Sequence, residues 1–326
     1  MRASARGPSG RNLLLCQPSL MAVWRNPQVH APAVEARANR RGLAVLMMLV
    51  AFACFTGLDS AAKWLVTEAS MSPWSAVFAR YAVHLLIVAA ILLPSQGFSS
   101  FSSKAPRLET LRAGFLLTST MCNFIAIQYL ALTVTATIFF TIPIFVTILS
   151  IPLLGEKVGW RRWAAIAVGF CGILIVTRPW AAAFHWAMMA SVGAALCASL
   201  YQILTRKLAG VDSTHTQQFY AGFVATIGVA PFAFLNWTTP EGVLVWGLFA
   251  AMGVLGWLGH QMLTVAHRYA PASFLAPFVY VQLLYMTASS WFVFSQPPTI
   301  WILAGAPVVM AAGFYIWWRE RQLKDT

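Results

Sequence analysis

Charged and polar side chains inside apolar runs are where this sequence can do chemistry. Asp59 lies late in the run 42–64; Arg80 lies about two turns into the run 73–93, with His84 one turn further on the same side. A charge in hydrocarbon costs about 2.5–3.5 kcal/mol on insertion scales, so each is a functional candidate by default. A short connection joins the two runs, which brings Asp59 and Arg80 to similar depth, close enough to pair. Lys63, four residues from Asp59 on one helix face, competes for the same carboxylate. Two chemistries fit. The pair fixes the packing of two helices, or Arg80 holds an anionic or carboxylate-bearing substrate while Asp59 serves as counter-ion or proton carrier. His84 is either a titrating group or a hydrogen-bonded structural histidine.

Further polar residues recur in later runs: Asn123 and Gln128, then Tyr201 and Gln202, His260 and Gln261, and Tyr280, Gln282 and Tyr285. Interhelical hydrogen bonding, worth about 0.6 kcal/mol each, accounts for many such residues without any ligand. Tyr280 and Gln282 point different ways on a helix, so at most one lines a cavity directly; Tyr285 falls near the Gln282 face. The expected substrate-binding set is Asp59, Arg80, His84, Asn123, Gln202, His260, Gln261, Tyr280 and Tyr285. No nucleophile elbow, zinc-spaced His/Glu set, phosphate loop or tandem carboxylate is present, and no nucleotide domain, so no catalytic residue, metal or cofactor is expected. The five cysteines (16, 54, 122, 171 and 197) show no metal or redox spacing and read as packing residues.

These residues are positioned by a membrane-embedded framework. Of 326 residues, 59% are apolar and only 10% charged, against about 25% charged in an ordinary soluble domain. Ten apolar spans follow one another at about 42–64, 73–93, 110–130, 133–154, 161–178, 185–206, 216–236, 241–262, 271–295 and 299–318, separated by turn-like breaks. The net charge of +13 is dispersed between spans rather than gathered into a nucleic-acid patch. Placing the N-terminus in the cytoplasm puts every basic residue except Lys63, Arg80 and Arg178 on the cytoplasmic side, as the positive-inside rule demands. Both termini are then cytoplasmic and the span count even. Residues 1–41 carry seven arginines and no 7–15-residue apolar stretch, and are expected to form a basic, disordered cytoplasmic arm. Met21 is an alternative start. Residues 319–326 form a short cytoplasmic tail.

Sliding the chain over itself reveals a weak repeat. At an offset of 140 residues Tyr129 falls on Tyr269, Ala136 on Ala276, and Gly155-Glu156-Lys157 on Ser295-Gln296-Pro297; at 143, Asp59 falls on Gln202 and Lys63 on Arg206. Spans 1–5 (42–180) thus correspond to spans 6–10 (181–318). Five is odd, so the halves enter the membrane with opposite orientation, as in transporters built on inverted repeats with the site between halves. Small-residue stripes, Ala165-xxx-Gly169 with Gly172 and Gly253-xx-Gly256-xx-Gly259, should let helices approach closely. Pro143, Pro231, Pro277 and Pro307 should interrupt or kink their helices, and Pro277 with Pro307 would make the last hairpin a moving part. Trp74, Trp160, Trp163, Trp237, Trp317 and Trp318 read as interfacial anchors.

Tyr129–Pro179 is the most characteristic stretch. Two apolar runs flank a polar turn in which Glu156 sits at a helix C-terminus and Arg161 and Arg162 at the next N-terminus, each disfavoured by its macrodipole. A clasp between Glu156 and Arg161/Arg162 relieves both. With Pro143, Leu153-Leu154-Gly155-Glu156-Lys157 and the closing Val176-Thr177-Arg178-Pro179, this hairpin resembles the EamA-type transporters of the drug/metabolite transporter superfamily. So do Gly57-Leu58-Asp59-Ser60-Ala61-Ala62-Lys63, Val77-Phe78-Ala79-Arg80, and Ala276-Pro277-Phe278-Val279-Tyr280 with Phe294. The resemblance spans about residues 42–318. It implies an all-α polytopic fold of ten transmembrane helices in two inverted five-helix repeats, a central cavity, and secondary transport of metabolites such as amino acids, vitamins or nucleotide-like compounds. The second half departs from the pattern, with Gln296-Pro297-Pro298 in place of the acidic turn.

The expected function is therefore gradient-coupled, alternating-access transport of a small polar or amphipathic metabolite across a bacterial inner membrane. The expected partners are that metabolite, the lipid bilayer and protons as coupling ion, with a homodimer compatible with the pattern and no nucleic acid. A non-transporting structural or regulatory subunit, and a membrane-embedded enzyme on lipid-linked substrates, remain the alternatives.

Overall fold

The structure is a computed structural model that describes residues 41–96, 102–154, 159–178, 180–181, 184–208, 211–269 and 275–324. The basic arm, apart from Arg41, and the turn at Gly155-Glu156-Lys157 lie outside the described residues. Among those described, every regular element is a helix. The order is α1 (Arg41–Thr67), α2 (Pro73–Gln96), α3 (Pro106–Tyr129), α4 (Leu132–Phe139), α5 (Ile142–Leu154), α6 (Trp160–Thr177), α7 (Ala187–Leu208), α8 (Thr214–Leu235) and α9 (Gly242–Tyr269). A 3-10 turn (Ala276–Tyr280), α10 (Val281–Phe292) and α11 (Ile300–Lys324) complete it.

Length and composition explain these helices. At 1.5 Å rise per residue, a 27-residue α1 reaches about 40 Å, more than the hydrocarbon core needs. Seven helical stretches among the described residues are long and apolar enough to cross a bilayer, with α4 and α5 counted together; Trp163–Thr177 and Ile300–Tyr315 are shorter apolar helices. Starts are set locally. Pro73 opens α2 and Pro106 opens α3, where a missing N–H is harmless. Ser213 caps α8, its hydroxyl accepting from Thr216 N–H at 3.1 Å.

Two expected spans are not single helices. The span at 133–154 breaks at Phe140–Thr141, two residues before Pro143, which itself sits in the first turn of α5 where proline is tolerated. The last part of 271–295 is the 3-10 turn followed by the 12-residue α10. Pro231 and Pro307 lie inside α8 and α11.

The main packings are α1 with α9, α3 with α7, α6 with α11, α2 with α8, α2 with α9, and α3 with α8; α10 lies against α1 and α4, and α5 against α7. Glycines set the closest of these approaches. A Cβ on Gly305 of α11 would lie 2.7 Å from the Gly172 carbonyl oxygen of α6, and a Cβ on Gly259 of α9 would lie 2.7 Å from the Phe55 ring of α1. The expected small-residue stripes thus lie at these two crossings. The largest core joins Leu58 and Leu65 of α1, Tyr81 of α2, Phe124 and Ile127 of α3, and Phe249 and Met252 of α9.

Candidate functional site

Helix α3 is the least apolar of the seven long stretches, with a mean hydropathy of 1.3 against 2.2 for Leu132–Leu149. Its polar residues meet a partner at almost every turn. At its start the Arg112 Nε donates to Glu109 Oε2 at 2.8 Å, the sole ion pair among the described residues, and both side chains are buried. Arg112 Nη2 also donates to the Gln217 carbonyl of α8 at 2.6 Å, and its guanidinium lies 5.2 Å from the Tyr201 ring centroid of α7. Two turns on, Thr120 Oγ1 accepts from Arg80 Nη1 at 3.1 Å and is hydrogen-bonded to Tyr81 Oη at 2.7 Å. One turn further, Asn123 Nδ2 donates to Asp59 Oδ1 at 3.1 Å. At its end, the carbonyls of Ile127 and Leu130 accept from Lys63 Nζ at 3.2 and 2.6 Å.

These contacts correct two expectations. Asp59 and Arg80 form no ion pair among the described residues. Each is tied instead to α3, at Asn123 and Thr120, one turn apart on the same face. Arg80 is buried and its guanidinium lies 4.9 Å from the Tyr81 ring centroid and 5.9 Å from that of Phe124, so two π-faces and one hydroxyl solvate it. Lys63 does not compete for Asp59. It caps the C-terminus of α3, where the macrodipole favours a cation and where α3 carries no basic residue of its own. It also stands 5.4 Å from the Phe294 ring centroid.

Asp59 and Asn123 open onto a cavity of about 50 Å³, room for a few waters rather than a metabolite. Thr135, Ala136, Phe139 and Phe140 of the broken α4 segment form one wall; Gln282 and Met286 of α10 form another. The cavity thus lies between the two halves of the chain, with one carboxylate, two amides and two phenyl rings facing it.

Residues 42–178, which supply Asp59, Asn123 and the α4 wall, match the family model described as the EamA-like transporter family. Residues 42–178 belong to that family. The chain has named relatives whose matches extend over both halves. It is 28% identical over 280 residues to a riboflavin transporter of Vibrio cholerae, covering 85% of this chain and 94% of that one. It is 29% identical over 236 residues to an S-adenosylmethionine uptake transporter of Rickettsia felis, covering 71% and 80%. It is 27% identical over 270 residues to the pseudopaline exporter CntI of Pseudomonas aeruginosa, covering 82% and 93%. One solved crystal structure shares the fold, with a TM-score of 0.60 at 15% identity, over 87% of this chain and 98% of that one. The chain is an integral membrane transporter of small molecules and not an enzyme.

Of the residues expected to bind substrate, the transporter brings Asp59 and Asn123 directly to the cavity. Arg80 reaches the same α3 face one turn away. His84 is buried against α8, its Nε2 3.3 Å from the Gln218 carbonyl, which fits the structural reading. His260 is packed edge-on against the Phe55 ring, centroids 5.0 Å apart, with Tyr201 at 6.4 Å. Tyr280 stands behind Phe140, ring centroids 5.2 Å apart. Tyr285 joins a cluster with Met48, Phe52 and Leu275 away from the cavity; Gln202 is exposed, and Gln261 is half-buried on α9 without lining the cavity. Gln282, not among the expected site residues, takes the place foreseen for one of Tyr280 and Gln282. The clasp falls largely outside the described residues: Glu156 is not described, nor is the Arg162 side chain, and Arg161 is exposed beside the Trp160 ring at 5.6 Å.

Proposed function

We propose that this protein moves a small polar or amphipathic metabolite with a flat ring across a bacterial inner membrane by alternating access, coupled to protons through Asp59. The observation that carries this reading is a carboxylate on a cavity walled by both halves of the chain. A half-buried acid inside an apolar span, with no cation in ion-pair distance among the described residues, is expensive to keep, and a carrier site is a reason to keep it. Phe139 and Phe140 offer faces for a ring to stack on; Asn123 and Gln282 offer amides to its edge; Arg80, with no acid within ion-pair distance among the described residues, offers a cation for an anionic substituent one turn away. Riboflavin and S-adenosylmethionine, named for two relatives, are the first probes. Since both an uptake transporter and an exporter stand among the relatives, direction is left to experiment.

Ten spans in two inverted repeats, 42–180 and 181–318, with both termini cytoplasmic, complete the proposal. The pairing of helices supports it. If α1, α2, α3, α4–α5 and α6 correspond to α7, α8, α9, turn–α10 and α11, exchanging the halves turns the packing of α1 on α9 into that of α7 on α3. It turns α2 on α9 into α8 on α3, and maps α2 on α8 and α6 on α11 onto themselves. These are the main packings of the bundle. The two broken helices correspond as well. The test is a comparison of metabolites in medium and cytoplasm of cells overexpressing or lacking the protein, followed by flux of the shifted compound into proteoliposomes. A compound that falls in one compartment and rises in the other names substrate and direction; no shift of any compound sinks the proposal.

A further inference from the structure

The cavity is flanked at its two ends by contacts that differ in kind. Toward one end, its walls continue one to two turns to residues that converge on a single ammonium. Asp59 leads to Lys63 on α1, Asn123 leads to Ile127 and Leu130 on α3, and Met286 on α10 leads to Phe294, and these meet at Lys63 Nζ. Toward the other end, Phe140 lines the cavity and the Tyr280 ring packs edge-on behind it at 5.2 Å and 66°.

The two rings have a further relation. The 140-residue offset between the halves carries Phe140 onto Tyr280. Both stand at helix discontinuities: Phe140 caps α4 where the chain breaks before α5, and Tyr280 ends the 3-10 turn before α10. Residues exchanged by an approximate two-fold relation touch only where the axis passes between them. The Tyr280 hydroxyl also fills the space that a Cβ on Gly313 of α11 would need, so a third helix is shaped to receive it.

The geometry points to the Phe140–Tyr280 ring pair as the gate between the cavity and the cytoplasmic face, with the Lys63 contacts closing the opposite end. This rests on the transporter reading and the orientation given above. The rings sit where α4 and α10 meet hydrogen-bonded three-residue turns rather than continuous α-helix, so separating them requires local rearrangement at two discontinuities and no sliding of a packed helix. An axial position lets the same pair part whichever half moves.

The labelling part of the test needs no substrate. In a variant with all five cysteines replaced, Ala136→Cys places one thiol on the cavity wall. Its labelling by a membrane-impermeant maleimide is timed in inside-out and right-side-out vesicles. Phe140→Leu and Tyr280→Leu, which keep apolar bulk but lose a ring, should each speed labelling from the cytoplasmic face about tenfold, the population shift that about 1.4 kcal/mol produces. The double variant should be no faster than either single one, because one seal has been removed. Labelling from the other face should stay unchanged in these variants and rise in Lys63→Met. Unchanged cytoplasmic labelling, or a rise from both faces together, overturns the gate. Flux lost with this pattern intact would overturn the transport reading instead, and flux kept with the pattern absent would overturn the gate alone.

Discussion

Replacing Lys63 with methionine removes the ammonium but keeps an apolar stem of similar length. Three contributions are lost. Two hydrogen bonds to the Ile127 and Leu130 carbonyls disappear, at 3.2 and 2.6 Å, each worth about 1.5–3 kcal/mol when one partner is charged. The helix C-terminus loses its cation, worth up to about 2 kcal/mol when partly buried. The face of Phe294 loses about 0.5–1 kcal/mol. Against these stands the relief of desolvating an ammonium that is 2% exposed, several kcal/mol. The balance is a destabilisation of about 2 kcal/mol, most of it from leaving two buried carbonyls without a donor. At about 2–4 °C per kcal/mol for a domain of this size, the thermal midpoint of the purified protein in detergent should fall by about 4–8 °C. The assay is fluorescence-monitored melting, with Lys63→Arg as the variant that restores a cation. A Lys63→Met midpoint equal to or above that of the parent would refute the reasoning, because it would mean that the ammonium contributes nothing to holding α3.

Other contacts make equally definite predictions. Arg112→Met should destabilise by about 3–5 kcal/mol and cut membrane abundance, since Glu109 is left as an unpaired buried carboxylate; Glu109→Gln with Arg112→Met should recover most of it in the same melting assay. Gly305→Ala should cost about 1–3 kcal/mol, because the new methyl meets the Gly172 carbonyl at 2.7 Å and neither backbone can yield cheaply. Ser60 and Ser289 share a 2.6 Å hydrogen bond between α1 and α10, so a double-mutant cycle of Ser60→Ala and Ser289→Ala should show a coupling of about 0.6 kcal/mol in melting.

Much of this framework is legible in the sequence, because apolar run length and small-residue spacing dictate helices and close crossings directly. The Gly253-xx-Gly256-xx-Gly259 stripe indeed meets Val83, Leu58 and the Phe55 ring. Asp59 and Asn123 were visible as polar residues in apolar runs. Their partners were less so. A short loop between α1 and α2 sets the depth of Asp59 and Arg80 but not the rotation of either helix, and both turn toward α3. The acceptors of Lys63 are backbone carbonyls, which no side-chain pattern records. The absence of a basic residue in the last turn of α3 was the available signal. Gln282 and Met286, four residues apart on α10, share the cavity face, while Tyr285 falls to its flank against Met48 and Phe52. The break at Phe140 was expected at Pro143, yet proline fits a first turn and the interruption falls just upstream.

The most direct test of the account is proton-driven accumulation of the identified substrate in proteoliposomes carrying Asp59→Asn. The substitution preserves the shape of the side chain and a polar contact to Asn123, and removes only the carboxyl proposed to take up and release the proton. Accumulation against a concentration gradient should be lost, while downhill exchange of the same compound persists. Full accumulation in Asp59→Asn would contradict the claim that the cavity carboxylate is the centre of transport.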